Sequence, residues 1–455
     1  MTKKFNRENY GRPAAPVRMI HMGIGNFTRA HQMYYTENAP DAEEWGIAAF
    51  TGRRPDAAKA LIPQDGLYTL IVRGAEGTDY KVISSLSKVH EATENDALLG
   101  YFESPELSVL TSTVTEAGYM RAPDGSLDVA NADVAGDIEA LRADPRAVVK
   151  TTPAKVTSGL LARRAAGSGA MTILPCDNLP GNGEAFEQVI VDCARAVDET
   201  LVPWIKENIA FATCMVDRIT PATTDADREE VRRECGYEDA SPVPTESFNE
   251  WVVAGEFPAG RPKWEEAGAT LVDDVTPFED RKLWMLNGSH SLMAYAATIR
   301  GFETVGEAIL DPEVRGWVNE WWDVAAKHLE VPSDDYRAAL LDRFENQNIR
   351  HLLAQIAADG SQKIPVRIVP ALRGEIAAGR LPDGPLRAIA AWIQHLRGNG
   401  APVKDAQTDL VAGLVGDDLD ATIGNVLKFL GDDLAANADV VKRVKELALD
   451  LVPEA

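Results

Sequence analysis

Basic charge is scarce in this chain. Its 455 residues carry 46 Lys and Arg against 70 Asp and Glu, a formal charge of −24 with neutral His. A nucleic-acid binder needs a net basic face to displace phosphate counterions, and the same negative field repels anionic lipid. Nucleic acid and membrane surfaces are therefore excluded as partners. Cysteine is scarce as well: Cys176, Cys193, Cys214 and Cys235 show no C-x-x-C spacing, which fits neither a disulfide scaffold nor a zinc site and points to a reduced, cytoplasmic setting. No metal site is expected. The first twenty residues hold no apolar stretch of signal-peptide length, and nowhere do about 18 apolar residues run uninterrupted. The expectation is a soluble, unexported protein.

The rest of the composition, 45% hydrophobic and 25% charged, is that of an ordinary globular chain, and at about 100–200 residues per domain the length calls for two or three domains. Val17 to Met22 is a short apolar run stopped by Gly23, which reads as a buried strand entering a turn. A helix through Arg29 to Glu37 and a second apolar run, Trp45 to Phe50, complete a βαβ unit. LYTLIVR and YKVISSLSKV, separated by Gly74 and Gly77, predict a hairpin between about residues 66 and 90. Further strands are expected at Leu107–Thr115, Met171–Pro175 and Ile209–Val216, with helical periodicity from Glu184 to Lys206 between the last two. This alternation predicts an α/β fold with a mostly parallel, doubly wound sheet. After a polar segment at 221–250 the apolar spacing becomes helical from about residue 278, with Gly and Pro clusters at 301, 359–365 and 380–386 read as breaks. The acidic 405–450 tail keeps Leu, Val and Ile at helical spacing and reads as amphipathic helices.

Three features carry chemistry. Gly23-Ile24-Gly25-Asn26-Phe27 follows the first strand, and glycines there permit a tight turn and close approach of a dinucleotide pyrophosphate; a plain strand-to-helix turn is the competing reading, since Thr28 occupies the place of the third glycine. At the end of the second strand, where an acidic residue would select NAD and an Arg would accommodate a 2′-phosphate, the chain offers Thr51, Gly52, Arg53 and Arg54, which leaves the choice open. Second, three later strands end in polar clusters: Thr113-Val114-Thr115-Glu116, Cys176-Asp177-Asn178 and Asp217-Arg218. Ligands of open α/β sheets bind outside the carboxyl ends of strands, so a site should gather there, although Asp177 or Asn178 could instead cap a helix. Third, on an α-helix Glu279, Lys282, Asn287 and His290 fall within an arc of about 140°, shared with Leu283 and Leu286. An amine held against apolar surface is easier to deprotonate, as a general base requires; a surface Lys paired with Glu at i−3 is the alternative.

These segments together resemble the mannitol dehydrogenase family of polyol-specific long-chain dehydrogenases and reductases over almost the whole chain. Gly23-Ile-Gly-Asn-Phe-Thr-Arg29-Ala-His31-Gln32 is similar to the family's G-x-G-x-F-x-R-A-H-Q, and Thr115-Glu116-Ala-Gly118-Tyr119 to T-E-x-G-Y. Cys176-Asp-Asn178-Leu-Pro-Gly-Asn182-Gly183 is similar to C-D-N-x-P-x-N-G. Asp217-Arg218-Ile-Thr-Pro221 resembles V-D-R-I-x-P with Val216, and Lys282-x4-Asn287-x2-His290 resembles the catalytic K-x4-N-x2-H. The resemblance implies a Rossmann-like dinucleotide-binding domain over residues 1–275 and a helical substrate-binding and catalytic domain over 276–455. It implies metal-independent hydride transfer between NAD, or NADP, and a secondary alcohol of a linear polyol or sugar acid. Lys282 would be the general base, Asn178 and Asn287 the oxyanion hole, His290 and Asp217 ligands of substrate hydroxyls, and Glu279 the proton path to solvent. Gly23, Gly25, Asn26, Phe27, Arg53, Thr115 and Glu116 make up the expected cofactor set.

D-Mannitol with D-fructose is the first substrate pair expected, and D-mannonate with D-fructuronate the second. Gln355, in Gln355-Ile-Ala-Ala-Asp359-Gly-Ser-Gln-Lys363-Ile-Pro-Val-Arg367, makes this segment resemble the fructuronate reductases. Lys363 and Arg367 could bind a carboxylate or could be structural loop cations. A charge of −24 does nothing to recruit an anionic sugar acid, which inclines the choice toward a neutral polyol. A dinucleotide-responsive sugar-binding protein without turnover is the reading from a different class.

Overall fold

The computed structural model describes residues 3–52, 54–348 and 350–452. Six strands form a wholly parallel sheet: β1 (Val17–Met22), β2 (Gly46–Phe50), β3 (Leu86–His90), β4 (Val109–Ser112), β5 (Met171–Pro175) and β6 (Ile209–Phe211). Their order across the sheet is β3-β2-β1-β4-β5-β6, the doubly wound order in which strand succession reverses between β1 and β4. Side chains alternate across each strand, so the sheet feeds two cores. Met19, Ile47, Ala49, Val109 and Leu174 enter one, and Ile20, Met22, Ala48, Phe50, Leu110 and Ile173 enter the other. Helices Asn95–Glu103, Thr152–Ala166, Asn182–Val197 and Leu201–Asn208 cover the second face. The first face is covered differently, by the short helices Asn26–Ala30 and Gln32–Asn38 and by two small sheets.

The expected hairpin is Tyr68–Arg73 with Thr78–Ile83, but YKVISSLSKV divides: its second half, Leu86–His90, leaves the hairpin and becomes edge strand β3. The expected strand over 209–216 also divides. The Asn182 side chain takes both the N–H and the C=O of Cys214. Beyond Phe211 the chain therefore leaves β5, and Thr213–Asp217 pairs antiparallel with Glu250–Ala254 in a separate sheet.

Contacts separate the chain into two compact units with the break after Thr276. The second unit is helical, as its spacing predicts, and its centre is formed by helices Ser289–Ile299 and Asp383–Leu396, buried almost throughout. The latter packs against helices Pro312–Ala325 and Ala438–Leu451. The cluster at 359–365 breaks the helical run only at its first residue, where Asp359, at φ +59°, separates helix Leu353–Ile356 from the next. Helix Gly360–Arg367 starts inside it and contains Pro365, and Gly360 is required because a Cβ there would lie 2.3 Å from the Trp392 indole nitrogen.

Candidate active site

In the first unit the candidate residues lie at the carboxyl ends of β1, β4 and β5. Gly23 has φ +95°, and a Cβ on it would meet the Thr113 carbonyl oxygen at 2.3 Å, so only glycine fits between β1 and β4. Its N–H donates to the Phe50 carbonyl at 3.0 Å, and its own carbonyl accepts from the Thr113 hydroxyl at 2.8 Å. At Gly25 a Cβ would meet nothing closer than 3.8 Å; the backbone there is left approachable, as the second glycine of a pyrophosphate loop requires. The Asn26 amide donates to the Pro221 carbonyl and the Thr223 hydroxyl, and Arg29 grips the Gly25 carbonyl, Asn26 and Ser241. These side chains tie the glycine loop to segment 221–241, and Phe27 stacks on His31 at 5.1 Å. Beneath the loop, buried His21 is held by the Thr111 and Thr113 hydroxyls, and burial pushes its pKa down to about 3.

At the end of β2, Thr51 is buried and its hydroxyl accepts from the Ala92 N–H. The Arg54 side chain is 88% exposed and 3.7 Å from Asp56, a pair of little energetic weight. Arg53 lies outside the described residues.

Asp177 is the keystone of the β4 and β5 ends. One carboxylate oxygen accepts from the N–H groups of Val114 and Thr115 at 2.8 and 3.0 Å; the other accepts from the Tyr119 hydroxyl at 3.0 Å and the Ser112 hydroxyl at 3.4 Å. Burial pushes its carboxyl up, against the opposing pull of these donors. The clasp holds Thr115 at φ +66°, a conformation that a β-branched residue adopts only when its surroundings impose it. Asp177 therefore caps no helix: Gly181 stands at the N-cap of Asn182–Val197. Asn182, fully buried, joins the Asp177 carbonyl to Cys214. Between these two staples Asn178 is exposed, as are Thr115 and Glu116. Asp217 is buried at the end of its strand, opposite Glu250. Because that strand belongs to the smaller sheet, the third polar cluster does not follow the parallel sheet as the sequence suggests. Its Arg218 is structural, donating to the carbonyls of Glu246 and Ala30.

In the second unit the 140° arc gives way to a different geometry. Glu279 lies on α-helix Thr276–Arg281, but Lys282–Gly288 is a π-helix, and α-helix resumes at Ser289. In an α-helix residues i and i+5, such as Lys282 and Asn287, are about 140° apart; the wider i→i+5 turn brings them closer to one face. Single π turns within α-helices recur at functional sites. Lys282 and Asn287 are partly exposed, and His290 is buried against the rings of Phe344 and His351.

The turn is supported from outside. The Trp284 carbonyl accepts from the Trp321 indole at 2.8 Å and the Met285 carbonyl from the Trp322 indole at 3.0 Å. Arg367 donates to the Asn287 carbonyl at 3.3 Å and to the Ser291 hydroxyl at 3.1 Å. Lys363 donates to the carbonyls of Ile356 and Ala358 at 3.1 and 2.5 Å, and Gln355 is exposed nearby in sequence. The sequence reading missed the two tryptophans. Their carbonyl partners lie 37 residues upstream, and nothing in local spacing announces such a bond.

Residues 17–266 match the model of the mannitol dehydrogenase Rossmann domain, and residues 274–451 that of the mannitol dehydrogenase C-terminal domain. The chain is 33% identical over 450 residues to the D-mannonate oxidoreductase of Escherichia coli (strain K12), covering 94% of this chain and 91% of that one. Among solved structures, a substrate-free D-sorbitol dehydrogenase superposes with a TM-score of 0.86 at 29% identity, covering 96% of this chain and 93% of its own. The Pseudomonas fluorescens mannitol 2-dehydrogenase, in a ternary complex with NAD and D-mannitol, does so with 0.78 at 32% identity, covering 99% and 97%. With both halves matched and relatives aligned along nearly its full length, this chain belongs to the mannitol dehydrogenase family of oxidoreductases.

Proposed function

We propose that the chain is an NAD(P)-dependent, metal-independent dehydrogenase that interconverts a secondary alcohol and a ketone in a linear C5–C6 polyol, with D-mannitol and D-fructose as the leading pair. The observation that carries this reading is the π turn bearing Lys282 and Asn287, in a chain that is 32% identical to a mannitol 2-dehydrogenase solved with NAD and D-mannitol.

The first unit fits a dinucleotide. The open space over Gly25 and the reversal of strand order beside it are what such a ligand requires. Gly23, Gly25 and the backbone at Asn26 and Phe27 would hold the pyrophosphate. Thr115 and Glu116 would line the neighbouring loop, and Arg53, which lies outside the described residues, is proposed to bear on the choice between NAD and NADP. The nicotinamide supplies a two-electron acceptor for the hydride released from the alcohol carbon. Lys282 takes the hydroxyl proton, and Glu279 passes it toward solvent. Asn178 and Asn287 donate to the oxygen as it gains alkoxide character, each such donor contributing roughly 3–4 kcal/mol. His290 and Asp217 hold the remaining hydroxyls. Small molecules are the only partners this chemistry needs. No described helix is long and apolar enough to cross a membrane, and the four free thiols suit the proposed cytoplasmic setting.

A second reading, oxidation of D-mannonate to D-fructuronate, is favoured by the identity to the D-mannonate oxidoreductase; it would require Lys363 or Arg367, both bonded to backbone carbonyls, to bind a carboxylate as well. Steady-state rates on mannitol, arabinitol, sorbitol and mannonate, each with NAD and NADP, separate the two. Turnover of mannitol is expected. If mannonate alone reacts, the polyol reading is wrong; if none reacts while NADH binds, the result favours a dinucleotide-responsive sugar-binding protein without turnover.

A further inference from the structure

We propose that Arg367 is a positioning residue that, with Trp321 and Trp322, fixes the π turn carrying Lys282 and Asn287, and that it does not bind the substrate. The inference rests on the dehydrogenase reading above.

A π turn is a poor helix: it makes fewer well-packed turns than the α form and persists where its surroundings impose it. Here the imposition is visible. Three carbonyls of the turn, those of Trp284, Met285 and Asn287, accept hydrogen bonds from side chains of two other helices, Pro312–Ala325 and Gly360–Arg367. The fit is close. A Cβ at residue 288 would lie 2.7 Å from the Trp321 indole nitrogen, so the indole reaches its carbonyl only because that residue is glycine.

Arg367 acts at the end of the turn that matters for chemistry. The same guanidinium nitrogen spans the Asn287 carbonyl and the Ser291 hydroxyl, joining the last residues of the π segment to the buried α-helix that follows. A charged donor makes a stronger bond than a neutral one, and Arg367 is partly buried, which lowers its pKa. Asn287 is thereby fixed at its backbone, and its amide points from a fixed Cα. An error of about 1 Å in such a group costs about a hundredfold in rate.

The test is Arg367→Gln and Arg367→Lys in the full-length protein, with kcat and KM measured on mannitol and on mannonate, the pH profile of kcat, and NADH affinity by fluorescence. In Arg367→Gln, kcat should fall about a hundredfold on every substrate the wild type turns over, the pH profile should shift, and KM and NADH affinity should stay within about threefold. Arg367→Lys, which keeps one charged donor, should recover about tenfold of that loss. A rise in KM confined to mannonate, with mannitol kinetics intact, would overturn the proposal in favour of a carboxylate ligand; so would unchanged kinetics. If Arg367→Gln does not fold, Arg367→Lys decides by the same split between kcat and KM. If the wild type is inactive on all substrates, the functional reading fails, but the brace can still be tested: a crystal structure of either variant with Lys282–Gly288 still π-helical and undisplaced would overturn it.

Discussion

Two turns bear the residues proposed for catalysis, and they are held in opposite ways. The turn after β5 is held by side chains of its own residues reaching outward: Asp177, beside Asn178, takes the N–H groups of Val114 and Thr115, and Asn182, four positions on, ties the Asp177 carbonyl to Cys214. The turn at Lys282–Gly288 is held from a distance, by Trp321, Trp322 and Arg367 on helices that arrive later in the chain. In the first, buried side chains of the turn itself reach out to backbone groups of the β4 loop and of Cys214; in the second, side chains from later helices reach in to carbonyls of the turn. Both devices leave an asparagine accessible on a backbone that has few alternatives. The first kind of support is part of its own motif, whereas the second depends on the packing of a whole unit.

That difference can be broken experimentally. Asp177→Ala should have the largest effect, because it leaves the Val114 and Thr115 N–H groups and the Tyr119 hydroxyl without their acceptor. At about 1–3 kcal/mol for the buried Tyr119 hydroxyl, with smaller contributions from the two part-buried N–H groups, the loss should be about 3 kcal/mol, read as a lower urea midpoint. Acid should strike the second turn's support next. Glu375, fully buried, is bonded to His328 and Arg380, so it ties the segment just after the tryptophan helix to the helix just after Arg367. Its carboxyl is held down at about 2, chiefly by Arg380. Its folded pKa lies below the ordinary carboxylate value, so the stabilisation is complete above about pH 4.5 and drains away as pH falls toward 2. Near-UV circular dichroism should show tertiary signal from the tryptophan-rich second unit fading across that window, and Glu375→Gln, which cannot ionise, should carry the destabilisation at every pH and flatten the dependence across the window. Trp321→Phe should cost least, about 1–2 kcal/mol for one unpaired carbonyl and a small void, with a fall in kcat larger than the change in melting temperature implies.

The same contrast explains what was legible in the sequence. Val17–Met22 and Met171–Pro175 emerge as strands at their expected positions, because a short apolar run stopped by Gly or by polar residues has few other uses. Helical spacing likewise marks the second unit. The break between Phe211 and Thr213 is invisible in an unbroken apolar run, since it is caused by Asn182 from another element. The π turn is hidden for the same reason: Lys282 to Gly288 has ordinary helical spacing, and what widens it arrives from 37 and 80 residues away. At the site, the glycine loop was readable because each glycine answers a local demand. Asp177 reads in the sequence as part of a strand-end polar cluster or as a helix cap, and its bracing role is hidden, since its partners, on the β4 loop, are more than 60 positions upstream.

The central claim, that Lys282 is the base of a polyol dehydrogenase, is tested most directly by Lys282→Ala, with mannitol oxidation and NADH binding measured on the same preparation. The account predicts that oxidation is abolished, a loss of at least about a hundredfold for a positioned general base, while NADH binds with wild-type affinity. Oxidation at a near-normal rate by Lys282→Ala would remove the lysine from the mechanism and contradict the account.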